Sequence, residues 1–110
     1  MKAIAKTKYL RVSFRKMKRV LDMVRRKPAS EALVILQFMP HSCAKLAYET
    51  LKSAVANAKN NYKMDPDKLI LEECYCGPST PMKRFRAGSR GRAMSVLKRA
   101  CNITMIVEAK

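Results

Sequence analysis

The chain has 110 residues, enough for one domain with one modest core. Hydrophobic residues make up 48% of it, which excludes wholesale disorder, but aromatics reach only 6% and Trp is absent, so the core must be thin and rich in Ala and Met. Lys and Arg number 24 against 8 Asp and Glu, a formal charge of +16, which points to a polyanionic partner, nucleic acid before an anionic membrane.

No apolar run approaches the length of a membrane span; Ala32–Leu36 is typical. Lys2, Lys6 and Lys8 interrupt anything resembling a secretory signal. Ala3 to Val12 reads as a strand, with Ile4, Lys6, Lys8 and Leu10 on one side and Ala3, Ala5, Thr7 and Tyr9 on the other. Ser13 offers a hydroxyl to cap a first helix over Phe14 to Arg26. Met17, Val20, Leu21 and Val24 give that helix one apolar stripe, and Arg15, Lys16, Lys18, Arg19, Arg25 and Arg26 cover the rest, with only Asp22 to balance them. Arg25, Arg26 and Lys27 suit the negative end of its dipole.

Pro28 is placed to open a second helix, Glu31 lies in its first turn, and Pro40 stops it. Ala32, Leu33, Ile35, Leu36 and Met39 leave it apolar almost all round, which predicts burial on more than one side. Ser42 is the predicted cap of a third helix, Cys43 to Asn60, whose stripe is Ala47, Leu51, Ala54, Val55 and Ala58. Its alanines permit close approach of a helix or sheet, and Met64–Asp67 is a turn.

Two further strands are predicted, Leu69 to Cys76 and Asn102 to Val107, with Ile103, Met105 and Val107 on one face of the second. They flank Pro81 to Ala100, which carries Lys83, Arg84, Arg86, Arg90, Arg92, Lys98 and Arg99 and no acid. Antiparallel pairing continued through Gly77 and Leu97 makes this stretch the far end of one long hairpin, an arm of about 30 Å. Seven cations with glycines among them cannot build a core, so the arm makes sense only if a polyanion supplies the other half of its energetics. The reading is an α+β fold: three helices on a small antiparallel sheet, with residues 1–76 and 101–110 as body and 77–100 as protruding β-hairpin.

No catalytic constellation is present. His41 follows Pro40 without a carboxylate pair to orient it and reads as a surface or capping residue. Gly88-Ser89-Arg90-Gly91 lacks the strand-to-helix context and the Lys-Ser/Thr ending of a phosphate-binding loop. Glu72 and Glu73, adjacent on a strand, should point to opposite faces. Cys74-x-Cys76 is not a zinc-knuckle spacing, so Cys43, Cys74, Cys76 and Cys101 read as ordinary reduced thiols, with Cys101 able to approach the other two if their strands pair. Neither an enzyme, nor a metal, nor a cofactor is expected. The expected nucleic-acid contacts are Lys2, Lys6, Lys8, Arg11, Arg15, Lys16, Lys18 and Arg19 on the body, and Lys83, Arg84, Arg86, Arg90, Arg92, Lys98 and Arg99 on the arm. No groove-reading helix pattern or base-stacking aromatic signature is present, which leaves shape and backbone recognition of folded RNA.

Particular stretches carry a family resemblance. They are Tyr9-Leu10-Arg11-Val12-Ser13 with Arg15-Lys16, Glu31-Ala32-Leu33 with Ile35-Leu36, and Leu51 to Ala58 with Asn60-Asn61. Gly77-Pro78, Lys83-Arg84-Phe85-Arg86, Arg90-Gly91-Arg92-Ala93, Lys98-Arg99 and Ile103-Thr104 complete the set. In this order the chain resembles large-subunit ribosomal protein twenty-two of bacteria and organelles over essentially its whole length. The resemblance implies a body bound to 23S-type ribosomal RNA near the exit of the nascent-peptide tunnel, beside neighbouring large-subunit proteins. It also implies an arm that runs inward, its tip forming part of the tunnel wall against the nascent peptide. The matching tip is Met82, Lys83, Arg84, Phe85, Arg86, Ala87, Gly88, Ser89, Arg90, Gly91 and Arg92. Neither a membrane partner nor a homo-oligomer is implied, and the location is a bacterial or organellar ribosome, a plastid included. The chain departs from the pattern at Phe14, where the family has Pro, and at Cys76, where it has an acid. Two residues, Thr80-Pro81, look inserted, and Ala87-Gly88-Ser89 replaces a Pro-Arg-Ala, which predicts a looser tip. The rival reading is a free-standing basic RNA chaperone or nucleoid-type binder.

Overall fold

In a computed structural model, which describes residues 2–109, the elements run β1 (Lys2–Leu10), α1 (Phe14–Val24), α2 (Ala29–Phe38), α3 (Ala44–Asn61), β2 (Leu69–Pro78), β3 (Met82–Ala87), β4 (Ala93–Lys98) and β5 (Cys101–Ala109). Met1 and Lys110, the ends of the predicted body, lie outside the described residues. The fold is α+β. A three-stranded antiparallel sheet, ordered β1-β5-β2, carries the helices on one face, and β3 with β4 forms a separate two-stranded ribbon. The molecule measures 62 × 26 × 16 Å.

Alternation decides which sheet face is the core. Ile103, Met105 and Val107 of β5 are fully buried, as are Ala3 of β1 and Leu71 of β2. Ile4 is turned outward beside the lysines of β1. The predicted α1 stripe, Met17, Val20, Leu21 and Val24, is wholly buried, worth roughly 6–12 kcal/mol before ordering entropy is subtracted. Ala47, Leu51, Ala54 and Ala58 bring α3 close against β1 and β5. Thr50 is the buried polar side chain of this layer; its hydroxyl lies 2.9 Å from that of Thr7 and donates to the Leu46 carbonyl at 3.0 Å.

Several expectations need correction. Ser13 stands at the N-cap of α1 but its side chain makes no capping bond, and α3 is preceded by Cys43, itself in a helical conformation, not capped by Ser42. Helix α1 ends at Val24, before Arg25 and Arg26, and Arg26 adopts a φ of 65°. The Arg26 N–H and the Lys27 carbonyl turn instead to Leu71, binding the chain after α1 to β2. Helix α2 is not buried on several sides: Val34 and Phe38 are 54% and 77% exposed, because α2 lies at the margin and packs mainly against α3. Antiparallel pairing does run through Gly77, opposite Asn102, and Leu97, opposite Lys83, but in two ladders with a break between them.

Two irregularities in the sheet bear on function. A bulge between Leu71 and Glu73 shifts the β2 register. Leu71 and Cys74 both point inward, so Glu72 and Glu73 both stand outside the core, against the expectation of opposite faces. The extra residue spares the core a carboxylate that alternation would have aimed into it. The second irregularity separates body from ribbon. Pro78 pairs with Cys101, and pairing resumes only at Met82 with Lys98, so Ser79–Pro81 oppose just Arg99 and Ala100. One bond, Ser79 N–H to the Ala100 carbonyl at 3.0 Å, crosses the gap.

Candidate nucleic-acid interface

The two cation groups that lie far apart in sequence meet at the root of the arm. The chain leaves β1 at Tyr9, whose φ of 60° accompanies a register shift, and the Asn102 side chain accepts from its N–H at 3.0 Å. Arg11 follows and donates to the Arg99 carbonyl at 3.0 Å, tying the segment before α1 to the end of β4. A cleft of about 370 Å³ opens there, with Arg11, Lys16, Lys98 and Arg99 as its cations and the Ser13 and Ser42 hydroxyls among them. A smaller cleft of about 220 Å³ adjoins it between Arg15 and Arg99, and another of about 210 Å³ continues along α1 past Lys16 and Arg19 to His41. Arg99 lines the first two and Lys16 the first and third, so the three form one continuous trough. Arginine forks and lysine point charges set along a concave, hydroxyl-bearing surface suit a phosphate backbone.

The remaining predicted residues divide. Lys18 lies on the other flank of α1, close enough for its charge to act on the Cys76 thiol. Lys6 and Lys8 are exposed on the outer side of β1. Lys2 does not stand free: its ammonium lies 3.1 Å from Glu72 Oε2, and that bond raises the lysine's pKa while it holds the glutamate's down. His41 and Ser42 belong to the trough and were missed as ligand-facing residues. Nothing local in Pro40-His41-Ser42 signals that the α2–α3 turn comes back to the basic flank of α1.

Every side chain of β3 is exposed. Residues opposite one another in an antiparallel pair share a face. Arg84 with Val96, Arg86 with Met94 and Met82 with Lys98 therefore occupy one side of the ribbon. Lys83 with Leu97, Phe85 with Ser95 and Ala87 with Ala93 occupy the other, from which Phe85 protrudes 76% exposed. The apex is a single 3-10 turn, Ser89–Gly91, with Arg90 at φ 57° and Gly91 at φ 74°. The Gly88 N–H donates to the Arg92 carbonyl at 2.6 Å, and that of Arg92 to the Ser89 carbonyl at 3.3 Å. A Cβ on Gly88 would stand 2.7 Å from the Arg92 carbonyl oxygen and 2.8 Å from Met94 Cγ, so only glycine closes the turn this tightly. Arg90 and Arg92 project from this closed loop.

The cysteines near these cations are chemically quiet. Cys43, Cys74, Cys76 and Cys101 are free thiols. Cys74 and Cys76 donate to the Leu21 and Phe14 carbonyls at 3.4 Å. Burial raises the pKa of both, and pushes Cys101 up to about 11, which keeps them protonated and poorly nucleophilic near neutrality. Among the described residues no group of three or more His, Cys, Asp or Glu is arranged to hold a metal ion, and no helix is long and apolar enough to cross a membrane.

Body, trough and arm define a class: a small basic structural protein whose cations follow one extended surface instead of converging on a reaction centre. Comparison supplies the family. The sequence profile of ribosomal protein L22p/L17e matches residues 5–108. The large ribosomal subunit protein uL22 of Clostridium novyi (strain NT) is 44% identical over 110 residues, all of this chain and 99% of its own length. That of Acaryochloris marina is 43% identical over 108 residues, 98% of this chain and 90% of its own. The uL22c protein of the same subunit in Thalassiosira pseudonana is 40% identical over 108 residues, 98% and 92%. The chain belongs to the ribosomal protein L22p/L17e family and is a ribosomal structural protein, not an enzyme.

Proposed function

We propose that this chain is a structural constituent of the large ribosomal subunit that holds ribosomal RNA through the trough at the arm's root and carries its arm, residues 77–100, inward between RNA segments to the wall of the nascent-peptide tunnel. The observation that carries the reading is the trough. Arg11, Arg15, Lys16 and Arg19 from one part of the chain and Lys98 and Arg99 from another meet where body and arm join. A polyanion seated there binds both parts at once and fixes the angle between them, which a core-less ribbon cannot do alone. The apex, with Arg90 and Arg92 on a closed turn, is the part that reaches the tunnel, and the nascent peptide passes beside it. The partners are 23S-type RNA and neighbouring large-subunit proteins.

The test is fractionation of ribosomes on low-magnesium sucrose gradients, followed by nucleotide mapping of photo-cross-links from Arg15 and Arg90. The expected result is recovery in the large subunit, with both residues joined to its RNA. Recovery as free protein or on DNA sinks this reading and favours a free-standing RNA chaperone or nucleoid-type binder.

A further inference from the structure

The face of the three-stranded sheet opposite the helices is uncovered, and its character differs from the rest of the molecule. Register places Ile4 beside Ile106 and Ile106 beside Glu73; one step along, Lys6, Thr104 and Tyr75 stand in a row. Ile4 and Tyr75 are about half exposed, at 49% and 52%. Three of the chain's eight acidic residues, Glu72, Glu73 and Glu108, belong to this same small face. Two of them stand outside the core only because the bulge after Leu71 puts both there. Bulges are built features, and this one adds negative charge to one face of a +16 chain. Lys2 is already engaged by Glu72. A hollow of about 280 Å³ lies at the end of the face, lined by Ile70, Glu72, Glu108 and Ala109.

The end of this face that carries Glu72, Glu73 and Glu108 repels a phosphate backbone, Lys6 and Lys8 lying toward the other end, and its outward residues are not the aromatic platform that stacks bases. Apolar side chains set among carboxylates suit a protein segment that brings both apolar contacts and cations. We propose that the open sheet face docks a basic segment of a neighbouring protein, its apolar side chains against Ile4, Ile106 and Tyr75 and a Lys or Arg head group in the hollow beside Glu72 and Glu108. This rests on the ribosomal reading above, in which other large-subunit proteins are the neighbours. The molecule then has two opposed interfaces, a trough and arm for RNA and an acidic-apolar sheet face for protein.

Carbodiimide treatment of intact large subunits that contain the chain, followed by mass spectrometry, joins carboxylates to lysine amines in contact with them. A companion measurement compares subunits carrying the E73K/E108K chain with wild type after a high-salt wash. The expected result is Glu72, Glu73 or Glu108 joined to a lysine of another protein, or, where the cation is arginine, roughly tenfold poorer retention of one basic neighbour by the variant subunits. Cross-links confined to Lys2 together with an unchanged protein complement overturn the proposal. So does photo-cross-linking of Tyr75 to ribosomal RNA. Absence of the chain from large subunits overturns the ribosomal reading, and this one with it.

Discussion

Replacing Arg15, Lys16 and Arg99 together by Gln tests the trough most directly. Arg15 and Lys16 are exposed on α1 and Arg99 is exposed at the end of β4. Among the described residues these three side chains form no hydrogen bond or ion pair; Lys16 and Arg99 accept bonds only through their backbone carbonyls. Folding is therefore expected to survive. Each cation that neutralises a phosphate contributes ~0.7–0.9 to the slope of log K against log salt, according to whether the RNA is single-stranded or helical. Three lost contacts lower that slope by ~2–2.7, which at 0.1 M salt is a loss of ~10²–10³ in affinity, or ~3–4 kcal/mol. The assay is fluorescence anisotropy with a large-subunit rRNA fragment, titrated from low to high KCl. The control removes the same charge elsewhere, at Lys59, Lys63 and Lys68, all exposed at the opposite end of the body. Its slope should fall by less than about 1. If both triple variants lose the same slope, binding follows net charge alone, and the trough has no special part in it.

Other outcomes follow from the core, the apex and the thiols. Met105→Ala, at a fully buried β5 position, should cost about 2–5 kcal/mol in urea unfolding, whereas Met94→Ala on the exposed ribbon should change it by less than about 0.5 kcal/mol. Gly88→Ala should displace the backbone amide NMR signals of residues 86–94, since the new methyl collides with Arg92 and Met94, while the unfolding midpoint of the body stays put. Arg25→Met removes the pair with Asp22 and the 2.9 Å bond to the Cys74 carbonyl, and should destabilise the body by about 1–2 kcal/mol in the same assay. Cys101, with its pKa near 11 and its side chain buried, should label with iodoacetamide at pH 8 far more slowly than half-exposed Cys76. Because the folded state resists ionising Cys101, its contribution to stability is present below pH 9, the ordinary thiol value, and is lost as pH rises from there to about 11. A pH scan that shows no decline over that range contradicts the assignment.

Much of the fold is readable from periodicity because the core is made at regular intervals. The stripe Met17, Val20, Leu21, Val24 and the alternation Ile103, Met105, Val107 are all fully buried, as their spacing requires. Helix α2 misled because apolar content does not say how many neighbours are available: Val34 and Phe38 stay exposed at the margin of the fold. The bulge at Glu72 and the φ of 60° at Tyr9 escaped because each is settled by tertiary register, not by local preference. For the interface, residue type identified the cations individually, but the trough exists only once Arg99 has been brought to Ser13 and Lys16 across more than 80 positions of chain. His41 and Lys2 illustrate the same limit in opposite directions, one drawn into the trough and the other taken out of service by Glu72.

The break between the sheet and the ribbon at Ser79–Pro81 has a bearing on how such an arm can change over time. Since the β2–β5 ladder stops before the β3–β4 ladder begins, residues can be gained or lost in the ribbon without disturbing a single core contact. Side-chain direction, however, has a period of two. Adding one matched pair of residues to the two strands turns every later side chain to the opposite side, exchanging the Arg84–Arg86 surface for that of Phe85. Two pairs restore the original facing and carry the apex about 7 Å farther out. Reach can therefore vary freely only in even steps, and a joint that relaxes register at the base is where odd ones can be absorbed.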